Sequence, residues 1–457
     1  MFKYFKKTIQ DKKFIKATLA IAIPLMFQQL IVSSVNLIDN LMVGQLGDVA
    51  LSAVSNANRF YMIVLYGING LIAACIIYLS QFKGANDDKR MKETFRFSIV
   101  SSYVLCLLFF IIAYLFPEKI IGFFISDSDV IKTGSDYLRI ACLTYIPTVL
   151  SLCISASLRA LGETKIPLYI SVVSVLSNTF LNYCLIFGNF GLPALGVRGA
   201  AIATLCARII EVVIYLIVIK KIDMPFKTKI KDIFKFEKDL AKHIVVKALP
   251  LCMNEILFSF GMSTLLKCYA HRGLVVNTAY GMAATISDMF FVLFAGMATA
   301  TTVMVGTPLG ANKLEEAKEN GYKLICLSMM ISVVFLILMF MSAELIPYLY
   351  NVSIEAKDLS KDFLRVMAMC FVLYMYNTES FFILRAGGDT KSTLLFDSCF
   401  MWFFNIPLVA ALSYLTDINV LIVYFLGQFT DLPKAFIATY FIKKEKWVRN
   451  LTHKMQN

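Results

Sequence analysis

Four residues carry the oxygen atoms that a buried cation needs. Asp39 stands inside an apolar run that begins near residue 15, and Asn178 and Asn182 stand inside another over 166–188. A spacing of four puts both carboxamides on one helix face. A carboxylate with two amide carbonyls suits a hard cation such as Na⁺, and burial makes the charge state of the carboxylate sensitive to a partner, so it could equally carry a proton. Thr204, in the next apolar run, can add a hydroxyl. Ionisable groups inside membrane spans are costly and therefore candidates for function. The competing reading makes the same residues polar glue between helices.

The second half of the chain holds further acids at membrane depth: Glu255, Asp288, Glu379, Asp397 and Asp431. Glu255 and Asp288 could receive a cationic substrate, or could be structural partners of Lys267 or Lys434. Together with Gln28, Tyr374 and Glu379 they form the candidate lining of a substrate cavity. Arg139 and Arg365 read as anchors at equivalent positions of the two halves. Aromatic residues make up 13% of the chain and there are 21 Met. Such surfaces suit promiscuous binding of apolar cations, and lipid-facing helices are also rich in them. The 11 Cys lie in apolar segments without a CxxC pair, and the three His are scattered. Neither a disulfide framework nor a metal site is expected, beyond Na⁺ at Asp39, Asn178 and Asn182.

The elements that position these groups are membrane helices. Of 457 residues, 58% are hydrophobic and 16% charged, against roughly a quarter charged in soluble domains. Apolar runs near twenty residues recur along the whole length, and a backbone in lipid must satisfy its own polar groups, which makes the runs helices. Twelve spans are expected: 15–43, 50–80, 95–116, 134–158, 166–188, 196–219, 244–270, 275–306, 321–346, 361–384, 392–415 and 418–442. The first passes through Pro24, Gln28 and Asp39 without a small-residue cleavage site, so it reads as a retained helix and not a signal peptide. With the N-terminus inside, 32 of the 44 Lys and Arg fall on that same side. The bias accounts for the net charge of +13 and places both termini in the cytoplasm. The basic segment 220–243 is the one long polar stretch, a surface-lying amphipathic segment or a plain connector between lobes 1–219 and 244–457.

The chain also matches itself, in one register and without gaps, when displaced by about half its length. Pro24-Leu25 meets Pro250-Leu251, Gly84-Ala85-Asn86 meets Gly310-Ala311-Asn312, and Arg159 meets Arg385. Gly162-Glu163-Thr164-Lys165 meets Gly388-Asp389-Thr390-Lys391. Six helices per half is an even number, so the halves face the same way: a parallel repeat about an axis along the membrane normal. The expected fold class is an all-α polytopic membrane protein, two pseudo-symmetric six-helix bundles around a central cavity. Glycine at the two repeated turns is expected to supply positive φ.

The repeated residues carry a family likeness. The run Pro24…Gln28-Gln29…Asp39-Asn40-Leu41-Met42-Val43-Gly44-Gln45-Leu46-Gly47 resembles the first helix of the multidrug and toxic compound extrusion family. So do the Gly-Ala-Asn turns, Tyr137-Leu138-Arg139, Phe363-Leu364-Arg365 and the Leu158–Lys165 turn. Gly196-Val197-Arg198-Gly199 resembles the start of its sixth helix, and Trp402…Pro407 its eleventh. The likeness covers about residues 17 to 440. It implies secondary antiport, with drug leaving as H⁺ or Na⁺ enters, and an N-terminal cation site built from an Asp, an Asn and an acid, and a Thr. Asp39, Asn178 and Thr204 match that set, while Asn182 stands where many members carry the acid. In the other half, Glu255 lies about one turn from the family's acid on helix seven, and Tyr374 takes the place of its acid on helix ten.

An enzyme is not expected: there is no HExxH, no Gly-rich phosphate loop and no Ser/His/Asp set. The partners expected are small organic cations or drugs and the lipid bilayer, not nucleic acid, with no cofactor beyond the coupling ion, and a monomer. A lipid-linked saccharide flippase of the same broad superfamily is the alternative. It would need several cavity Arg or Lys to hold pyrophosphate, and Arg59, Arg208 and Lys434 are the basic residues inside spans.

Overall fold

The computed structural model describes residues 2–222, 224–350 and 352–452, apart from the side chains of Phe2, Asn36 and Leu37. Among these residues there is no strand, and twelve helices are long and apolar enough to cross a membrane. They are α1 Lys12–Gly44, α2 Asp48–Gly84, α3 Asp88–Leu115, α4 Ser128–Ala160, α5 Lys165–Phe187 and α6 Gly196–Lys221. In the second half come α7 Lys238–Ala270, α8 Val292–Gly310, α9 Leu314–Leu349, α10 Ile354–Ala386, α11 Thr390–Leu415 and α12 Val420–Lys443. A short amphipathic helix, Phe2–Gln10, precedes them. The protein is therefore a multi-pass membrane protein, with twelve spanning helices in the expected order and the eighth shifted from its expected bounds.

The helices gather into two compact units. The N-terminal unit is Phe27–Leu79 with Asp87–Cys252; the C-terminal unit is Met1–Met26, Ser80–Asn86 and Met253–Asn457. Expected lobe limits fell in the 220–243 linker, whereas the units divide α1 and α7 within the helices. Each division falls just beyond a proline, Pro24 or Pro250, inside the helix. A proline removes a backbone donor and crowds the preceding turn, so a helix bends there at little further cost.

The repeat extends to backbone angles. Positive φ occurs at Asn86 and Asn312, at Gly47 and Gly273, and at Gly162 and Gly388, and each pair occupies equivalent positions of the two halves. In the Gly-Ala-Asn turns the expectation needs correction: asparagine, not glycine, takes the left-handed conformation, which its short polar side chain tolerates. The glycines serve close approach instead. A Cβ on Gly310 would run into the Gln81 carbonyl, and one on Gly84 into that of Thr307.

Three departures from regular helix lie in the C-terminal unit. The expected span 275–306 is broken: Leu274–Asp288 ends and α8 begins only at Val292. The α11 backbone takes π-helical turns over Leu395–Cys399 and Met401–Asn405. A further break divides α12 at Thr430, between Val420–Phe429 and Asp431–Lys443. Asn405 closes the last gap by donating to the Gly427 carbonyl at 2.9 Å and to Thr430 Oγ1 at 2.5 Å. Irregular backbone at membrane depth survives where protein covers it or where it lines a polar cavity.

Between α6 and α7 the described residues 224–237 of the basic linker form turns and a 3₁₀ turn, Ile230–Asp232, tied to α3. Arg96 donates to Thr228 Oγ1 at 2.6 Å and to the Lys235 carbonyl at 3.0 Å, and Phe226 is fully buried against Phe95.

Candidate functional site

In the N-terminal unit a cavity of about 500 Å³ opens between α1, α2, α5 and α6. Asp39 from α1, Asn178 and Asn182 from α5 and Thr204 from α6 all line it. Their convergence follows from helical spacing. On α5, Ser171, Ser174, Asn178 and Asn182 recur at three- and four-residue steps, which makes one polar stripe on an otherwise apolar helix. On α6, Thr204, Arg208 and Glu211 do the same.

The stripes meet in hydrogen bonds. Asn182 Nδ2 donates to Asp39 Oδ1 at 2.7 Å. With its amide nitrogen assigned toward the carboxylate, Asn178 donates to Asp39 Oδ2 at 2.8 Å. The other end of that amide lies 3.3 Å from Thr204 Oγ1, whose hydroxyl donates to the Ala200 carbonyl at 3.0 Å. Both carboxylate oxygens therefore have an amide donor, which suits an ionised Asp39. Asn182 Oδ1 is buried with no partner among the described residues. Holding a Na⁺ would require the amides to turn their oxygens inward, and carbonyl, carboxylate and hydroxyl oxygens are then all present. No group of three or more His, Cys, Asp or Glu among the described residues could hold another metal.

The same cavity holds Arg59 and Arg208, expected as basic residues inside spans, and Glu211, which sequence reasoning missed. Arg208 Nη1 is 2.7 Å from Glu211 Oε2, which also accepts from Ser174 at 3.0 Å. Glu211 falls at i+7 from Thr204 on the polar face of α6, a signal available in the sequence. Gln28 lies just outside the cavity lining, with Nε2 donating to Ser171 at 2.6 Å.

The remaining substrate-cavity candidates scatter. Glu255 pairs with Arg385 at 3.5 Å, away from the lining of the Asp39 cavity. Asp288 is exposed at the break before α8 and has no ion-pair partner among the described residues. Neither acid takes Lys267 or Lys434: Lys434 binds Asp397 Oδ1 at 2.7 Å. Glu379 is completely buried; Thr301 donates to its Oε1, and Oε2 has no partner among the described residues. Of the five candidates Tyr374 alone faces a second pocket, which lies within the C-terminal unit. Arg139 pairs with Glu118, and Arg365 with Glu344 and Asp362.

A family model described as MatE matches residues 24–184 and again 250–411. The chain belongs to the MatE family. The first match begins at Pro24 and the second at Pro250, the same register as the internal repeat. Among its relatives, a protein named probable multidrug resistance protein YoeA, of Bacillus subtilis strain 168, is 23% identical over 420 residues, 91% of this chain and 90% of the relative. A probable multidrug resistance protein NorM of Oceanobacillus iheyensis is 24% identical, covering 88% of this chain and 90% of its own. The fold matches a solved outward-facing multidrug resistance MATE transporter of the MOP superfamily at a TM-score of 0.86, with 20% identity, over 94% of this chain and 96% of the other. These matches do not favour the flippase alternative. Its basic residues are also few and partly neutralised: Arg59 and Arg208 share one cavity, where Arg208 is held by Glu211, and Lys434 is held by Asp397.

Proposed function

We propose that this protein is a secondary antiporter that exports organic cations and drugs in exchange for H⁺ or Na⁺, working by alternating access. The observation that carries the reading is the meeting of Asp39 with Asn178 and Asn182 in one cavity. An ion that binds this cluster more tightly in one conformation than in the other shifts the balance between them. Taking a two-state equilibrium from 1:99 to 99:1 needs a difference of roughly 5.5 kcal/mol. A carboxylate whose two amide donors must rearrange as it takes a cation is a group whose affinity depends strongly on local geometry. Thr204 extends the oxygen set, and no covalent chemistry is required of the chain. The setting is the bacterial cytoplasmic membrane, with both termini inside, and a monomer is the transport unit.

Purified protein in liposomes tests this, with substrate efflux followed under separate Na⁺ and pH gradients. Wild type should respond to one gradient, and Asp39→Asn should lose that response while folding normally. Gradient-driven export at the wild-type rate by Asp39→Asn would sink the assignment.

A further inference from the structure

Charge is unevenly balanced at the end of the C-terminal unit where the chain begins. The helix Phe2–Gln10 packs on the early turns of α9: Tyr4 stacks on Tyr322 with ring centres 4.8 Å apart, and Thr8 is fully buried. Ion pairs fasten it, Lys7 with Glu319 at 3.2 Å and Lys323 with both Asp11 and Glu319 at 2.9 Å. The chain just beyond α12 joins the same surface through Lys318 and Glu445 at 2.6 Å. All of these residues belong to one unit.

The pairing leaves a surplus of one sign. Asp11, Glu319 and Glu445 are taken by Lys7, Lys318 and Lys323, and Glu316 by Lys313, which leaves Glu315 as the remaining acid in these turns of α9. Lys3, Lys6, Lys12, Lys13 and Lys16 are exposed and have no ion pair among the described residues. One turn from Lys6, Ile9 is 60% exposed, so the outer face of the short helix sets lysines around an apolar side chain. The depth of this face follows from helix length. At 33 residues, α1 is about 50 Å long, against roughly 30 Å of bilayer hydrocarbon. Its uninterrupted apolar run starts only after Lys16, and that of α9 only after Lys323. The turns that carry the lysines, and the short helix packed on them, therefore stand among lipid headgroups.

We propose that this face, the helix Phe2–Gln10 with the first turn of α1, docks the headgroups of anionic phospholipids, the lysines meeting phosphate and Ile9 entering the acyl boundary. Basic amphipathic helices hold to anionic leaflets through both charge and buried apolar side chains. A zwitterionic headgroup brings no net charge to balance five unpaired lysines. A soluble protein would have to displace lipid from beside α1 to reach them. The inference goes beyond the transport reading and needs neither substrate nor ion coupling at Asp39.

Native mass spectrometry of the full chain in detergent tests this, with phosphatidylglycerol and phosphatidylcholine of the same acyl chains offered in equal amounts. Wild type should retain phosphatidylglycerol about tenfold over phosphatidylcholine, and Lys3→Gln/Lys6→Gln/Lys13→Gln should lower that preference about fivefold. A matched triple in the linker of the other unit, Lys229→Gln/Lys231→Gln/Lys238→Gln, removes the same charge from exposed positions and should change it less than about twofold. Inorganic phosphate should not displace the lipid. Thermal melts check that each variant folds, and if the N-terminal triple melts early, the pair Lys3→Gln/Lys6→Gln decides in its place. Equal retention of the two lipids by wild type overturns the proposal. So does wild-type preference in the folded N-terminal variant, an equal loss in the linker triple, or displacement by inorganic phosphate.

Discussion

The two cavities occupy the same place in the repeat and have opposite character. The register that lays Pro24 on Pro250 takes the lining Val32, Val43 and Val54 of the N-terminal cavity to Phe258, Tyr269 and Tyr280 in the C-terminal pocket, and Ser174 and Val175 to Phe400 and Met401. Thr204 becomes Thr430, Arg208 becomes Lys434, and Asp39 becomes Leu265. Small residues in one half give a roomy cavity where amides and a carboxylate can move. Rings in the other fill the space and leave a smaller, aromatic pocket. One frame thus supports two cavities of different chemistry, and side-chain volume together with the position of the carboxylate separates them.

Charge pairing gives the strongest test of this contrast. The Lys434–Asp397 pair is shielded, with side chains 12% and 15% exposed, whereas Arg208 reaches its cavity at 37%. Removing one member of a shielded pair strands a charge, so Asp397→Ala should cost about 3–5 kcal/mol in unfolding experiments in detergent. Glu211→Ala should cost only about 1 kcal/mol, because water reaches Arg208. Equal losses would erase the distinction between a wet cavity and a dry pocket.

A subtler difference lies in the cores. Glu379 and Thr301 in the C-terminal unit stand at the positions of Cys153 and Cys75 in the other, and all four are buried. Thr301→Ala removes the donor to Glu379 Oε1 and should destabilise by about 1–3 kcal/mol. Cys75→Ala, which strands no polar group, should cost less by the same measurement. The smallest effect is at the surface of the C-terminal unit. Lys323 donates to Asp11 at 2.9 Å and holds that carboxyl below its usual range. A depressed carboxylate contributes stability above its ordinary titration range and loses it as pH falls through the folded value. Asp11→Asn should therefore cost only about 0.5 kcal/mol at neutral pH, given solvent screening, and the difference from wild type should vanish in acid.

Much of this was legible in the chain. Hydropathy marked twelve spans because lipid allows little else, and the repeat exposed the duplication because turn residues must obey backbone geometry. Asp39, Asn178, Asn182 and Thr204 stood out as polar groups in apolar runs. Glu211 did not, although its spacing from Thr204 on α6 carried the signal. The break at Asp288 was illegible, because no proline or glycine stands within three residues of it; the break at Thr430, between Gly427 and Pro433, and the π-helical turns of α11, just before Pro407, carried signals that the apolar runs around them masked. Pairing of Glu255 with Arg385, and of Asp397 with Lys434, depends on helix rotation, which hydrophobic pattern alone does not set.

The membership of the C-terminal unit bears on how the protein is made. Residues before Phe27 belong to it, and so does the final segment, where Trp447 is wholly buried and the Leu451 amide donates to Gln81 at 2.8 Å. The N-terminal unit is complete once Cys252 has been synthesised, and can close while translation continues. Its partner cannot be complete before Leu451 has been synthesised, so its earliest helix segment waits while the whole N-terminal unit and most of its own helices are made.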